Sequence, residues 1–152
     1  MRLIDLLDPE AVIPDLKARE KKDVLDELAA AMAPGLGVPA DRLGRVLAER
    51  EKLGSTGIGD GIAIPHGKLE GIDGLRVGFA RSRAGVDFEA MDGAATHLFF
   101  VLMAPEESVG DHLKMLARIS RMLKDTAFRS RLMKAHSREE ILSLIEEEDA
   151  KH

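Results

Sequence analysis

The sequence predicts an α/β fold, of the α+β kind, in which helices cover both faces of one mixed central sheet. Residues 98–103, Leu-Phe-Phe-Val-Leu-Met, form an uninterrupted apolar run, which is typical of a central strand buried on both sides. Residues 20–32 and 108–124 carry apolar side chains at helical spacing instead. The predicted order is one strand, two helices, three strands and three helices, and this order places helices on both faces of the sheet.

The predicted N-terminal elements are a strand and a helix. Residues 11–17 form the first strand, and Pro14 favours an edge position because proline cannot donate a hydrogen bond to a neighbouring strand. The helix covers residues 20–32 and is expected to end at Pro34-Gly35. Its inward face carries four apolar residues at helical spacing: Val24, Leu25, Leu28 and Met32.

A second helix is predicted over residues 40–52, and Arg50 lies on its inward face. Arg50 follows three apolar residues of this helix at helical spacing: Leu43, Val46 and Leu47. One interpretation is an arginine that lays its aliphatic part over the core and extends its head into water. The other is a guanidinium held for a phosphate, which its planar donors can bind with two hydrogen bonds.

A short apolar strand is predicted to end at His66, within the string Gly-Ile-Ala-Ile-Pro-His-Gly-Lys at residues 61–68. Pro65 removes one backbone donor, which suits the end of a strand. Because alternate residues of a strand share a face, Ile62, Ile64 and His66 are expected to point the same way. The sequence therefore presents an imidazole at the edge of the core.

The loop before this strand, residues 54–61, contains four glycines and two hydroxyl side chains. Such a loop can bring backbone N–H groups close to a phosphate, although neither nucleotide-binding glycine motif has the required spacing here. It can equally be a simple connection. We predict Ser55, Thr56 and Gly67 as phosphate-binding residues beside His66.

Two more strands are predicted after His66. Residues 75–80 alternate apolar and polar side chains, and residues 98–103 form the central strand. Asp92-Gly93 is a strong turn signal between them.

The first of the three C-terminal helices is predicted from Ser108, with Asp111 as part of a near capping box, to about Lys124. Its expected core stripe is Leu113, Leu116, Ile119, Ser120 and Leu123. His112 lies at the end of the first turn, where the partly positive helix terminus favours a neutral imidazole and a nearby anion. It could also be an ordinary residue at the boundary of the core.

The two remaining helices are shorter. One is predicted over residues 126–134, and the last is predicted to begin at Ser137 with Glu140 completing a capping box. The last helix turns Ile141, Leu144 and Ile145 inward. The acidic residues 146–149 are expected to form a solvated, frayed tail.

Composition limits the classes of function. A chain of 152 residues with 45% hydrophobic and 32% charged residues suits a single globular domain over residues 1–152. A net charge of −5, without Trp or Tyr, argues against a nucleic-acid partner. No apolar run could span a membrane and no signal peptide is recognisable, so we expect no membrane insertion and a cytoplasmic location. Cysteine is absent and the histidines lack a metal-binding spacing, so we predict neither metal nor cofactor.

Taken together, an imidazole, an inward arginine, a second imidazole at a helix start and a glycine-rich loop match the needs of transient phosphoryl storage on histidine. Residues 50–69 moreover resemble the EIIA domains of the fructose/mannitol class of the bacterial phosphotransferase system. The specific strings are Gly-Ser-Thr-Gly at 54–57 and Ile-Pro-His-Gly at 64–67. The resemblance extends over nearly the whole chain and is closest to the stand-alone nitrogen-related branch. It continues through residues 87–93, 98–102 and 112–113.

This resemblance implies a three-layer αβα sandwich and a role in phosphoryl transfer. In the family, the histidine that corresponds to His66 accepts a phosphoryl group from the phosphohistidine of a small HPr-like carrier. Arg50 and His112 occupy the positions that support the phosphohistidine. The protein would then be a phosphotransferase component whose output is mainly regulatory, through a target protein or a B-type phosphotransferase domain.

Three alternatives stay open. The chain could serve a separately encoded fructose or mannitol permease. It could be an interaction module on the same scaffold that is never phosphorylated, although the intact set of Arg50, His66 and His112 argues against this. A histidine-dependent hydrolase is the least favoured, because Ser55 has no evident base.

Overall fold

The computed structural model describes residues 1–152 and has the predicted fold class, with helices on both faces of a mixed sheet of six strands. The helices are α1 Leu3–Leu6, α2 Lys21–Leu36, α3 Ala40–Glu51, α4 Val109–Met122, α5 Thr126–Lys134 and α6 Arg138–Asp149. The strands are β1 Leu7–Ile13, β2 Gly57–Gly59, β3 Ile62–Ala63, β4 His66–Leu69, β5 Arg76–Val86 and β6 Thr96–Pro105.

The sheet has the strand order β1-β5-β6-β3-β2, and β4 pairs with β6 farther along the same side as β3. β1 lies at an edge, and β6 is central, as the sequence predicts. β5 and β6 are antiparallel, whereas β1 pairs with β5, and β3 and β4 pair with β6, in parallel. β4 has no strand on its other side, so its first residue, His66, lies at an open edge of the sheet.

Two apolar clusters pack on the two faces of the sheet and make the three layers. One cluster joins α4, α5 and α6 to the face that carries Phe79 and Phe100. The other joins α2 and α3 to the face that carries Phe88 and Phe99. Because both faces of β6 are covered, its side chains are buried from Leu98 to Ala104, which explains its uninterrupted apolar sequence.

The prediction that the strand ends at His66 is wrong. The chain leaves the sheet only at Ile64 and Pro65, and it resumes pairing at His66 as β4. Pro65 has no N–H to donate, but its carbonyl accepts a hydrogen bond from Leu102 N at 3.0 Å, so the alignment with β6 is maintained. One predicted strand and part of the glycine-rich loop are therefore three short strands.

Three boundaries near the N-terminus also differ. The first strand is Leu7–Ile13 rather than 11–17, and the four-residue α1 precedes it. α2 continues through Pro34 to Leu36 and ends at Gly37, whose φ of 68° is left-handed. Proline removes only one helical hydrogen bond, and the left-handed residue is the one that terminates the helix.

The predicted core stripe of α4 is wrong in part. The buried residues of α4 are His112, Met115, Ile119 and Met122. Leu113 is 62% exposed, and the Ser108 side chain makes no capping hydrogen bond. The helix is thus rotated by about one residue from the predicted orientation, which turns His112 inward and Leu113 outward.

The prediction of a solvated, frayed tail over residues 146–149 is wrong in part. The helix α6 continues to Asp149, and Glu148 and Asp149 are buried, whereas Glu146 and Glu147 are exposed. Asp149 is fully buried and accepts hydrogen bonds from the N–H groups of Leu3 and Ile4, at 3.2 and 3.0 Å. Arg118 of α4 binds the same carboxylate at 2.7 Å. The predicted cap at the other end of α6 is confirmed, because the Ser137 side chain accepts from Glu140 N at 3.1 Å.

Candidate functional site

His66 stands between helices from the two opposite layers of the sandwich. Arg50, in the last turn of α3, donates a hydrogen bond from Nε to His66 Nε2 at 3.3 Å. His112, in the first turn of α4, places its ring centroid 5.3 Å from that of His66, with the ring planes at 82°. Both layers can reach the same imidazole because β4 is an edge strand and leaves the side of His66 open.

The hydrogen bonds of His66 define which ring nitrogen is nucleophilic. His66 Nδ1 lies 2.8 Å from the carbonyl oxygen of Ile64. A carbonyl only accepts, so Nδ1 carries the hydrogen and Nε2 carries the lone pair. That lone pair accepts the hydrogen bond from Arg50, and Nε2 is therefore the more nucleophilic nitrogen of the ring.

Burial favours the neutral form of both imidazoles at the site. Burial lowers the pKa of His66, and the positive charge of Arg50 acts in the same direction against the opposing effects of Ile64 and Glu51. Burial also lowers the pKa of His112, assisted by the charges of His66 and Lys68. The ordinary pKa of histidine is about 6.5, so a lowered value leaves both rings mainly uncharged at neutral pH.

His112 offers a polar atom without a partner. Its residue is 5% exposed, and Nε2 is buried without any hydrogen bond in the protein. A buried nitrogen of this kind costs free energy unless something binds it. Because His112 lies beside His66, a group attached to the His66 ring would be a suitable hydrogen-bond partner for His112 Nε2.

The three predicted phosphate-binding residues have structural contacts of their own. The Ser55 hydroxyl donates to Phe88 O at 2.9 Å, and the Thr56 hydroxyl donates to the carboxylate of Glu51. Both residues nevertheless line a cavity of about 210 Å³ together with Arg50 and His66. Gly67 is buried, and a Cβ there would come 2.5 Å from Val46 Cγ1, so the close approach of α3 requires glycine. Phosphate binding by these residues stays a prediction.

A larger cavity of about 590 Å³ opens beside His66, and its exposed lining consists of three apolar residues together with the charged Glu49 and Lys68. Leu53, Val109 and Leu113 line it and are 84%, 47% and 62% exposed. We call these three residues the apolar rim. Large apolar side chains grouped around a polar centre are typical of a surface that binds another protein.

The family of the chain follows from comparison of its whole length with known proteins. Residues 5–148 match the model of the family described as "Phosphoenolpyruvate-dependent sugar phosphotransferase system, EIIA 2". The chain belongs to this family. The resemblance found in residues 50–69 is thereby confirmed for nearly the entire EIIA chain.

Individual relatives of this EIIA protein include regulatory and transport components. It is 44% identical over 145 residues to the nitrogen regulatory protein of Bradyrhizobium diazoefficiens, covering 95% of each chain. It is 34% identical to the fructose-specific EIIABC component of Bacillus subtilis, covering 98% of this chain and 24% of that protein. The crystal structure of the nitrogen regulatory protein IIA-Ntr from Neisseria meningitidis superposes with a TM-score of 0.88 at 32% identity, covering 93% of this chain and 97% of that chain.

Two features of this EIIA site were missed in the sequence. The apolar rim was missed because Leu113 was assigned to the core stripe. Leu53 follows α3 and Val109 is the first residue of α4, so neither belongs to a repeating helical stripe. Glu51 was missed because a glutamate beside an arginine is ordinary at a helix end, although it is only 8% exposed.

No helix of the chain combines the length and the apolar character that crossing a bilayer requires.

Proposed function

We propose that this EIIA protein is a phosphohistidine carrier that accepts a phosphoryl group on His66 from an HPr-like protein and acts mainly as a regulatory, nitrogen-related component. The observation that carries the proposal is the convergence of Arg50 and His112 on an imidazole whose Nε2 lone pair is unprotonated. Family membership supports phosphoryl transfer in general. A cytoplasmic location remains a prediction.

The transfer step is a displacement at phosphorus. The Nε2 lone pair of His66 forms a bond to the phosphorus of the donor's phosphohistidine, while the P–N bond of the donor breaks and its electron pair returns to the donor imidazole. The proton of His66 stays on Nδ1, which donates a hydrogen bond to the Ile64 carbonyl. No metal ion takes part in this scheme.

Arg50 and His112 stabilise the product in this proposal. Arg50 Nε must release Nε2 when the new bond forms, and its guanidinium can then bind two phosphoryl oxygens. Unpartnered His112 Nε2, in the tautomer that carries its hydrogen there, donates to a phosphoryl oxygen. These charge-assisted hydrogen bonds offset the negative charge of about −2 that the phosphoryl group brings.

The apolar rim supports docking of the donor protein. Leu53 follows α3 and the other two rim residues lie on α4, so a partner that covers them must place its own reactive group above His66. Covering the rim also removes water from the transfer site, which strengthens the hydrogen bonds of Arg50 and His112. We propose that the HPr-like donor and the phosphoryl acceptor or regulatory target use this surface in turn.

The relatives favour regulation as the output, with a sugar permease as the alternative. Nitrogen regulatory proteins of similar length match along 95% of their chains. The fructose-specific EIIABC relative keeps the alternative open. B-type domains carry their phosphoryl group on cysteine, and this sequence has none. A B-type acceptor site would therefore lie outside residues 1–152.

The direct test is phosphorylation by a donor. Incubation with an enzymatically phosphorylated HPr-like carrier should add one phosphoryl group per chain, measured as intact mass by native-pH mass spectrometry. Treatment with acid should remove it, because phosphoramidate bonds to histidine are acid-labile, whereas phosphoserine is not. Failure of several HPr-like donors to label the protein would contradict the proposal and favour the interaction module.

The rate of phosphoryl acceptance should depend on pH through His66. Burial and Arg50 lower its pKa, with Glu51 on α3 opposing and His112 on α4 neutral in the same range. Protonation removes the lone pair, so the rate should be constant above about pH 7 and fall only below the ordinary histidine value of about 6.5. Nuclear magnetic resonance titration of the free protein separates this effect from titration of the donor. A His66 midpoint at or above 6.5 would contradict the prediction.

A further inference from the structure

We propose that Glu51 is a positioning residue of this site, which fastens the turn after α3 so that Arg50 faces His66. The proposal rests on the function proposed above and adds to it a residue that touches neither the phosphoryl group nor the reacting nitrogen. Its role would be to act through Arg50.

Glu51 holds both ends of a short turn. Its Oε1 accepts a hydrogen bond from the backbone N–H of Thr56 at 3.0 Å, and its Oε2 accepts from the Thr56 hydroxyl. The side chain of Glu51 is only 5% exposed. Residues 52–55 are thus closed into a loop between the end of α3 and Thr56, and this loop has little freedom to move away from the site.

The fastened loop supplies a partner for Arg50. The carbonyl of Gly54 accepts a hydrogen bond from Arg50 Nη1 at 3.0 Å, while Arg50 Nε donates to His66 at 3.3 Å. A guanidinium is planar, so two hydrogen bonds at different nitrogens fix its orientation. If the Gly54 carbonyl moved, Arg50 would keep only its bond to His66 and could turn towards solvent, since it is only partly buried.

The buried charge of Glu51 is compensated from α2. Lys21 Nζ lies 3.0 Å from Glu51 Oε1 and 3.3 Å from Glu89 Oε2. Lys21 also stands 4.7 Å from the centre of the Phe88 ring, which restrains its position. A buried carboxylate that is paired and accepts these donors is a stable anchor, whereas its removal leaves the Thr56 N–H and hydroxyl without their acceptor and leaves Lys21 paired only with Glu89.

A double-mutant cycle tests whether Glu51 acts through Arg50. Glu51→Ala should reduce the rate of phosphoryl transfer from an HPr-like carrier by about tenfold to a hundredfold, as expected when a catalytic group is misplaced. In an Arg50→Ala background, the same substitution should reduce the rate by less than about twofold, because the group that Glu51 positions is absent. Asp41→Ala, at an exposed carboxylate in the first turn of α3, is the matched control and should leave the rate unchanged.

The outcomes are distinct. An equal reduction by Glu51→Ala in both backgrounds, or no reduction in either, would overturn the proposal. A wild-type protein that accepts no phosphoryl group would instead overturn the proposed function, and the role of Glu51 would then be read from the ¹⁵N resonances of Arg50 and His66 in the free protein. Loss of the Arg50–His66 hydrogen bond in Glu51→Ala is the expected result there, and unchanged resonances would overturn it.

If Glu51→Ala fails to fold, Glu51→Gln, which loses the ion pair with Lys21 but keeps the shape, should show a smaller change in the same direction.

Discussion

His66→Gln should abolish labelling by a phosphorylated HPr-like carrier. The amide keeps a polar side chain of similar reach at the start of β4, but it has no nitrogen lone pair that can attack phosphorus. The residual transfer should therefore not exceed the background of the assay, because the variant lacks the nucleophile. Intact mass after incubation with the donor measures the effect.

Three comparison variants make this result specific. His136→Gln changes an exposed histidine that precedes α6 and should leave labelling unchanged. Arg50→Ala and His112→Ala should slow the transfer but allow it to reach completion, because they remove stabilising groups and not the acceptor. Full labelling of His66→Gln would place the phosphoryl group on another residue and contradict the assignment of His66.

Arg81→Met should produce the largest loss of stability. Arg81 is 1% exposed, and its guanidinium donates to the carbonyl oxygens of Pro14, Leu132 and Ala135 at 2.8, 2.7 and 2.7 Å. These groups connect β5 to the end of β1 and to the C-terminus of α5, whose partial negative charge favours a cation. Methionine leaves the Pro14 and Leu132 carbonyls without this donor, at about 1–3 kcal/mol each, whereas the Ala135 carbonyl keeps its hydrogen bond from Arg83. We expect the free energy of unfolding to fall by about 3 kcal/mol or more.

Urea unfolding followed by circular dichroism measures this loss, and Arg83→Met is the matched control. Arg83 is exposed and donates to the same Ala135 carbonyl at 3.0 Å. Its substitution should cost less than about 1 kcal/mol, as is usual for surface residues. Similar losses for the two variants would contradict the central role of Arg81. If Arg81→Met does not fold, Arg81→Lys should give a measurable, smaller loss, because a lysine supplies a cation without the planar set of donors.

The residues of the candidate site could be selected from the sequence because they lie in patterns that are local in sequence. The string Ile-Pro-His-Gly shows His66 by itself, and Arg50 stands out because a charge falls on the apolar face of one helix. The tautomer of His66, by contrast, depends on the backbone between Ile64 and His66. It follows only from the structure, in which the Ile64 carbonyl oxygen lies 2.8 Å from His66 Nδ1.

The orientation of α4 shows why part of the site could not be predicted. Leu113 and Met115 are both apolar, and the helical spacing alone allows either of two neighbouring stripes to face the sheet. Packing against β6 and α6 selects the stripe that contains His112 and Met115, and this choice exposes Leu113 beside His66. The apolar rim is therefore a consequence of how α4 docks.

Buried charges show the same limit at longer range. Arg81 lies one residue beyond the predicted strand 75–80, and its partners are 51 to 67 positions away in the chain. Asp149 was assigned to a solvated acidic tail, yet it binds N–H groups of Leu3 and Ile4 at the opposite end of the sequence. Nothing local distinguishes such residues from surface charges.

The sequence by itself determined the fold class, the central position of β6 and the choice of His66, Arg50 and His112 as candidate site residues, because periodicity and short motifs carry that information. Only the tertiary structure decided that Arg50 and His112 reach His66 from opposite layers across an open sheet edge, and that Glu51 and Arg81 are buried. These outcomes depend on contacts between distant segments, whose free energies are set by packing and by the pairing of buried polar groups.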